Sequence, residues 1–436
     1  MSNFNIYNFV KDLYPICRSI TGDGTYDTLK KIKKFIPLEL KKIKSGEKVF
    51  DWTVPKEWNV KDAFIADEDG NKIIDFKKNN LHLVSYSEPI DRNVSYEELI
   101  KHLHYLKDNP DWIPYRTSYY NKDWGFCLSY NQFKKLKKTS YHVKIDTSLS
   151  DGYLRYGELY VKGKSEKEIL FSTYTCHPSM CNDNLSGVSV LTKLAKSIGK
   201  MDLNYSYRFL FIPETIGSIS WLAKNENKLE KIIGGMVVTC CGDRGKLNYK
   251  KSRIGNGLVD YFMSFTDINC KEFAPMGSDE RQFCSQGINL PIGCLTRTAY
   301  GEYDEYHTSA DDLNFVQENY LNHTYIFLKN FISDMDSKSE HFFNLSEKKF
   351  KVQKKYTKAE VNLGEKGLYT NIGGVAGLKG KNNHVKAIKW LMNYSDGDYN
   401  LGNISMMSKT NLEYLNDVAL NLTERGLLKK LGESND

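Results

Sequence analysis

Apolar residues near the start of the chain recur at helical spacing: Ile6, Phe9, Val10, Leu13 and Ile16, then, after a loop over 18–24, Leu29, Ile32 and Ile36. The pattern predicts mostly helix over residues 4–46, lying as an outer layer on a larger core. From about Val49 to Leu136 it changes to short aromatic and β-branched runs separated by turns: WTVP at 52–55, AFIADEDGNKIIDF at 63–76 with Asp69-Gly70 at its turn, and WGFCLSY at 124–130. These runs predict a small β-rich domain with one helix near 97–106. From about 140 to 335 strand-like runs (169–174, 207–212, 236–241, 288–296) alternate with helix-length segments (185–197, 216–226, 320–337). Such alternation predicts an α/β unit whose mostly parallel sheet has helices on both faces, with ligands beyond the carboxyl ends of its strands.

Lys348, Lys349, Lys351, Lys354, Lys355 and Lys358 form a basic stretch, expected to be a solvated connector. Beyond it, short helices over 385–393, 401–408 and 411–425, followed by Gly426-Leu427-Leu428 as the start of a wing, predict a winged helix. The expected division is therefore 1–46 as the N-terminal part of the main domain, 47–138 as an inserted β-rich domain, 139–345 as the main α/β domain, and 346–436 as connector and winged helix.

Composition narrows the function classes. Hydrophobic residues at 40% and charged residues at 26% of 436 positions exclude wholesale disorder. Lys+Arg 61 against Asp+Glu 54 leaves +7 with both signs interspersed, whereas a dedicated nucleic-acid binder is usually more basic or basic on one face. The predicted recognition helix carries Lys409 and Arg425 against Glu413, Asp417 and Glu424, two minus three or −1, which disfavours phosphate contact and favours a protein contact or a homo-oligomer. No apolar run is long enough to span a membrane, and Asp12 interrupts what a secretory leader would need. Nine scattered cysteines without a CxxC pair suit reduced thiols, so a cytoplasmic location is expected.

Three segments of the α/β region bring histidine and carboxylate to strand ends. The first strand runs into Cys176-His177-Pro178 and on to Asp183 at the start of a helix. The second ends in Pro213-Glu214-Thr215, and a later loop holds Tyr306-His307 with Asp311 and Asp312 close behind. Neutral imidazole plus carboxylate is the ligand set of a hydrolytic zinc, and Glu214 at the same sheet edge is located to serve as general base. Asp311 or Asp312 is expected to hold the His307 imidazole from behind. A helix cap and surface histidines are the alternative reading of the same residues.

The order His-x5-Asp-Asn-x-Ser-Gly, then Glu with a Gly-Ser turn, then His-Thr resembles the zinc-dependent aminopeptidases with paired metals. More specifically, RSITGDG (18–24), DWTVPKEWNVKDAFI (51–65), WGFCLSY (124–130), CHPSMCNDNLSG (176–187), GSDERQF (277–283) and EYHTSADDL (305–313) resemble bacterial aminopeptidase-like proteins with an inserted β domain and a C-terminal winged helix. The resemblance implies His177, Asp183 and His307 as metal ligands and Glu214 as catalytic base. The family's second consecutive glutamate is here Thr215, its Asp two residues after the first His is here Ser179, and its last metal Asp corresponds to the region of Cys240, Cys241 and Asp243. The implied cofactor is zinc: one ion on His177, Asp183 and His307, or two if Asp243 also binds. Arg18, Arg253, Asp279, Arg281 and Tyr306 are candidates for substrate contact, with Lys250 and Lys251 beside Arg253 as candidates for an anionic group.

Together these imply an amide hydrolase acting on a peptide or a small amide-linked conjugate, in a family often associated with surface-polysaccharide biosynthesis. The alternative is a catalytically inactive metal-binding regulator or scaffold acting through its winged helix.

Overall fold

A computed structural model describes residues 4–119, 121–356, 363, 366–368 and 383–432. The chain divides into two compact units, Met1–Gly255 with Ile268–Ser333, and Asn256–Asp267 with Asp334–Asp436.

The first unit is organised by an eight-stranded sheet in the order Glu39–Lys44, Tyr153–Val161, Ser206–Ile212, Glu168–Tyr174, Ile232–Val238, Ile292–Thr296, Asn248–Lys250, Asn269–Lys271. The four central strands, Ser206–Ile212 to Ile292–Thr296, are mutually parallel, and antiparallel pairings flank them on both sides, so the sheet is mixed. Every residue of Glu168–Tyr174 is buried, the signature of a strand covered on both faces. On one face Leu170, Leu210 and Ile212 pack with Ile216, Ile219 and Trp221 of the helix Ile216–Asn225. The alternate residues Phe171 and Phe209 stack with ring centroids 5.5 Å apart. The helix Gly187–Ile198 packs on the strand Glu168–Tyr174, and Ile6–Leu13, capped by the Asn5 side chain, packs on that helix.

Helix does not persist through residue 46. Asp23–Lys33 is helical, but Glu39–Lys44 is a strand paired antiparallel with Tyr153–Val161. Pro37 disfavours helix at the residue before it, and the partner strand, more than a hundred residues away, recruits the segment that follows.

A second, four-stranded antiparallel sheet has the order Lys72–Asp75, Glu57–Ala66, Ser140–Ser150, Ile90–Ser95. The Asp69-Gly70 turn closes its first hairpin, with Gly70 at φ +83°. Near 97–106 only one helical turn forms, Tyr96–Leu99, followed by a 3-10 turn and the two-residue strand Leu103–His104. Ser140–Ser150 leaves this sheet through Asp151-Gly152 and enters the large sheet as Tyr153–Val161.

The second unit is a winged helix: helices Asn383–Tyr394, Leu401–Ser408 and Leu412–Glu424 with a sheet ordered Asp396–Asn400, Lys349–Val352, Leu428–Leu431. The lysine-rich stretch is therefore not all connector. Phe350 is buried between exposed Lys349 and Lys351, which makes Lys349–Val352 the central strand of the wing sheet; Lys358 lies outside the described residues. Among the described residues no helix is long and apolar enough to cross a membrane.

Candidate metal centre

The strand Glu168–Tyr174 ends against its neighbour through Thr175 N–H to the Ile212 carbonyl, and the chain then turns through His177. Arg18, 1% exposed, donates from Nε to the His177 carbonyl at 2.8 Å and from Nη1 to the Leu13 carbonyl at 2.6 Å. It braces this loop from behind, so the expected substrate contact is corrected to a buried structural one. Ser179 likewise faces away from a ligand role, donating to the Tyr14 carbonyl at 2.8 Å. Thr21 is spent on Tyr86 and Trp58, and Gly22, at φ +95°, leaves no room for a Cβ beside the Trp58 carbonyl. The 18–24 motif is thus a junction between the N-terminal helices and the four-stranded sheet.

Asp183 is fully buried in the turn that leads into Gly187–Ile198. Its position comes from Asp311, whose carboxylate accepts the N–H groups of Asn182 at 2.6 Å and Asp183 at 2.9 Å. The expectation that Asp311 or Asp312 holds the His307 ring is corrected accordingly: Asp311 holds this backbone, and Asp312 accepts from the Asn314 and Phe315 N–H groups. The Tyr174 hydroxyl donates to Asp183 Oδ1 and itself accepts from Thr239 Oγ1 at 2.7 Å.

His307 lies in a loop between Ile292–Thr296 and the helix Glu318–Ser346, with φ +57°. Its Nε2 stands 2.9 Å from Asp183 Oδ2, while His177 Nε2 is 4.0 Å from the same oxygen. Single ligand atoms of His177, Asp183 and His307 all lie within 4.8 Å of one another. Asp183 Oδ2 and His307 Nε2 are buried and close, and among the described residues neither has a well-directed hydrogen bond. Two imidazoles and one carboxylate converging within this reach are a zinc donor set. Burial pushes the His177 imidazole down to about 4. Burial would raise Asp183, but His177, His307 and the Tyr174 hydroxyl overcome it and hold it at about 2. Near neutral pH both groups therefore present lone pairs rather than protons.

Glu214 follows the strand Ser206–Ile212, with Oε2 3.7 Å from His177 Nε2 and Oε1 accepting from Ser278 Oγ at 2.7 Å. Burial, with the charges of Asp279 and Asp183, raises its carboxyl well above the ordinary range. Thr215, at φ +63°, donates its N–H to Asp279 Oδ1 at 2.7 Å, and Ser218 Oγ reaches the same oxygen at 2.8 Å. Asp279 is fully buried, so its expected contact with substrate is corrected to a cap on the turn that carries Glu214. Burial lifts its carboxyl to about 7.

The structure brings His177, Asp183, His307 and Glu214 together, with Tyr306 against them, and leaves several other candidates elsewhere. The Asp243 carboxylate accepts from Asn182 Nδ2, Gly245 N, Thr298 N and Thr298 Oγ1, and it belongs to neither of the ligand clusters found among the described residues, so its proposed metal role is corrected. Arg253 is exposed and bonds Asn289 at 3.1 Å; Lys250 pairs with buried Glu280 at 2.6 Å and Lys251 with Glu272 at 2.6 Å. Arg281 donates to the Ser278 carbonyl at 3.1 Å, and its charge acts on Glu214 and Asp279. Tyr306 stacks on His307 with ring centroids 3.9 Å apart. Sequence reasoning missed Tyr174, Ser278 and Tyr115. Tyr174 ends a predicted strand beside His177 and could have been found; Tyr115 comes from the β-rich region and had no local signal. Its ring stands edge-on to both His177, at 5.4 Å, and His307, at 5.3 Å.

Comparison with known proteins agrees with this architecture. A family model described as "Domain of unknown function (DUF4910)" matches residues 7–338, and one described as winged helix-turn-helix matches 351–430. A Clostridium acetobutylicum protein, named for polysaccharide biosynthesis and an aminopeptidase-like domain, is 48% identical over 409 residues, covering 92% of this chain and 91% of that one. A crystal structure from Clostridium acetobutylicum, named as a peptidase, is 44% identical with a TM-score of 0.75, over 98% of this chain and 96% of that chain. The zinc aminopeptidase BSAP of Bacillus subtilis shares the fold at 12% identity and a TM-score of 0.54, over 78% of this chain and 95% of that chain. The chain therefore belongs to the DUF4910 family, here an aminopeptidase-like α/β fold followed by a winged helix-turn-helix.

Proposed function

We propose that the protein is a zinc-dependent amide hydrolase, with His177, Asp183 and His307 holding one ion and Glu214 as general base. The observation that carries this reading is the convergence of His177, Asp183 and His307, with Asp183 Oδ2 2.9 Å from His307 Nε2, beside the Glu214 carboxyl. Zinc, when bound, supplies an acidified water and polarises a carbonyl oxygen. Glu214 takes a proton from the attacking water at Oε2, Ser278 keeps Oε1 occupied, and the raised affinity of this carboxyl for protons suits it to deliver that proton to the leaving nitrogen. The donors present favour one ion over two, since Asp243 is occupied by hydrogen bonds and Thr215 has no anionic oxygen.

The substrate class is a peptide N-terminus or a small amide-linked conjugate. The name of the 48%-identical relative favours a conjugate used in polysaccharide assembly. Exposed Glu413, Asp417 and Glu424 on Leu412–Glu424 make a protein contact the better role for the winged helix than a nucleic-acid contact. The test is zinc content together with hydrolysis of a panel of aminoacyl anilides. About one zinc per chain is expected, with turnover that Glu214→Gln abolishes while the zinc stays. Stoichiometric zinc with no cleavage of any amide would instead favour the inactive regulator.

A further inference from the structure

The His307 loop is held from two sides. On one, Asp311 ties it to residues 181–183 through the Cys181, Asn182 and Asp183 N–H groups. On the other, an arm over residues 113–115, arising from the β-rich region, pairs with it antiparallel through Pro114 and Thr308. Tyr115 N–H donates to the His307 carbonyl at 2.8 Å, Ser309 N–H to the Ile113 carbonyl at 2.8 Å, and Ile113 N–H to Ser309 Oγ at 2.9 Å.

The arm reaches the His177 loop as well. Ile113 packs in one apolar cluster with Met180, three residues after His177, and the Tyr115 ring stands at 61° to the His177 ring and 86° to that of His307. The arm is itself anchored, because Ser85 N–H donates to the Arg116 carbonyl at 3.0 Å and Ser118 N–H to the Ser85 carbonyl at 2.9 Å.

Resting on the zinc reading above, we propose that this arm is a positioning element of the metal centre, with Tyr115 and the Ile113–Ser309 pair holding His307 ready to bind. His307 has a left-handed backbone on a loop without regular structure, so its ring has no strand or helix to aim it. The arm supplies that constraint, and the region that carries it thereby controls metal affinity. Groups that orient a metal ligand without touching the metal typically contribute tenfold to a hundredfold in affinity.

The experiment measures zinc dissociation constants by chelator competition, with circular dichroism and thermal unfolding of the metal-free proteins alongside. Tyr115→Ala should weaken zinc binding about tenfold or more, and Tyr115→Phe, which keeps the ring, should restore it. Ser309→Ala removes one hydroxyl acceptor with little risk to folding and should weaken binding about fivefold, the equivalent of one net hydrogen bond. If Tyr115→Ala and Ser309→Ala bind as tightly as the wild type while only their unfolding temperatures fall, the arm is merely structural and the proposal is wrong. A wild type that binds no zinc overturns the metal reading itself, a separate result seen before any variant is made.

Discussion

Replacing Asp279 by asparagine tests the electrostatics beneath the candidate base. Asp279 Oδ1 accepts from Thr215 N–H and Ser218 Oγ, whereas Oδ2 is buried with no hydrogen-bond partner among the described residues. Burial is the main cause that lifts its carboxyl from 3.8 to about 7, the charge of Glu280 adding to it and the two hydrogen bonds and Arg281 opposing. Between those values the folded chain holds a proton that the unfolded chain has released, so stability falls as pH rises through the window. Each pH unit inside it costs about 1.4 kcal/mol, so from about pH 5 to pH 8 the wild type should lose about 3 kcal/mol through this group alone. Asparagine does not titrate, and its Oδ1 can keep both hydrogen bonds. At about 2 °C per kcal/mol for a unit of this size, the unfolding midpoint of Asp279→Asn should gain about 6 °C on the wild type across that range. Circular dichroism melts of chelator-treated protein at several pH values read this directly. Parallel profiles, with a gap that does not widen with pH, would refute the view that Asp279 folds in its protonated form.

Tyr174→Phe deletes the hydroxyl that donates to Asp183 Oδ1 and should weaken zinc binding about tenfold in chelator competition; unchanged affinity would mean that Oδ1 needs no donor. The His177 imidazole, pushed by burial to about 4, should show ring proton resonances that do not titrate above about pH 5 in metal-free protein. Because the unfolded imidazole protonates first, the stability tied to His177 is complete above about 6.5 and is lost as pH falls toward 4, by up to about 3 kcal/mol. Gly22→Ala places a Cβ 2.1 Å from the Trp58 carbonyl at φ +95° and should cost at least about 2 kcal/mol in denaturant unfolding; a neutral result would mean that the 18–24 junction can shift.

The sequence by itself determined the elements whose burial is set by their own pattern. The helix at 401–408 and the strands at 169–174 and 207–212 match the observed elements to within about a residue, because continuous apolar runs and 3.6-residue periods are local properties. The Asp-Gly turn announced its hairpin for the same reason. It also supplied the four residues that meet at the candidate centre, because each stands just beyond a strand or on a loop with a recognisable neighbourhood.

Only the tertiary structure decided what depends on partners distant along the chain. Glu39–Lys44 and Lys349–Val352 became strands because other strands accept their backbone, although their sequences suggested helix and connector. Asp243, Asp279 and Arg18 looked available for ligand or substrate and Asp311 for the His307 ring, and folding committed all four to other buried hydrogen bonds. Tyr115 came to the centre with no local signal at all, delivered by a segment nearly two hundred residues from His307. A carboxylate or tyrosine in a sequence has the same chemistry wherever it stands; which atoms face it, and whether water does, is settled only when the layers close.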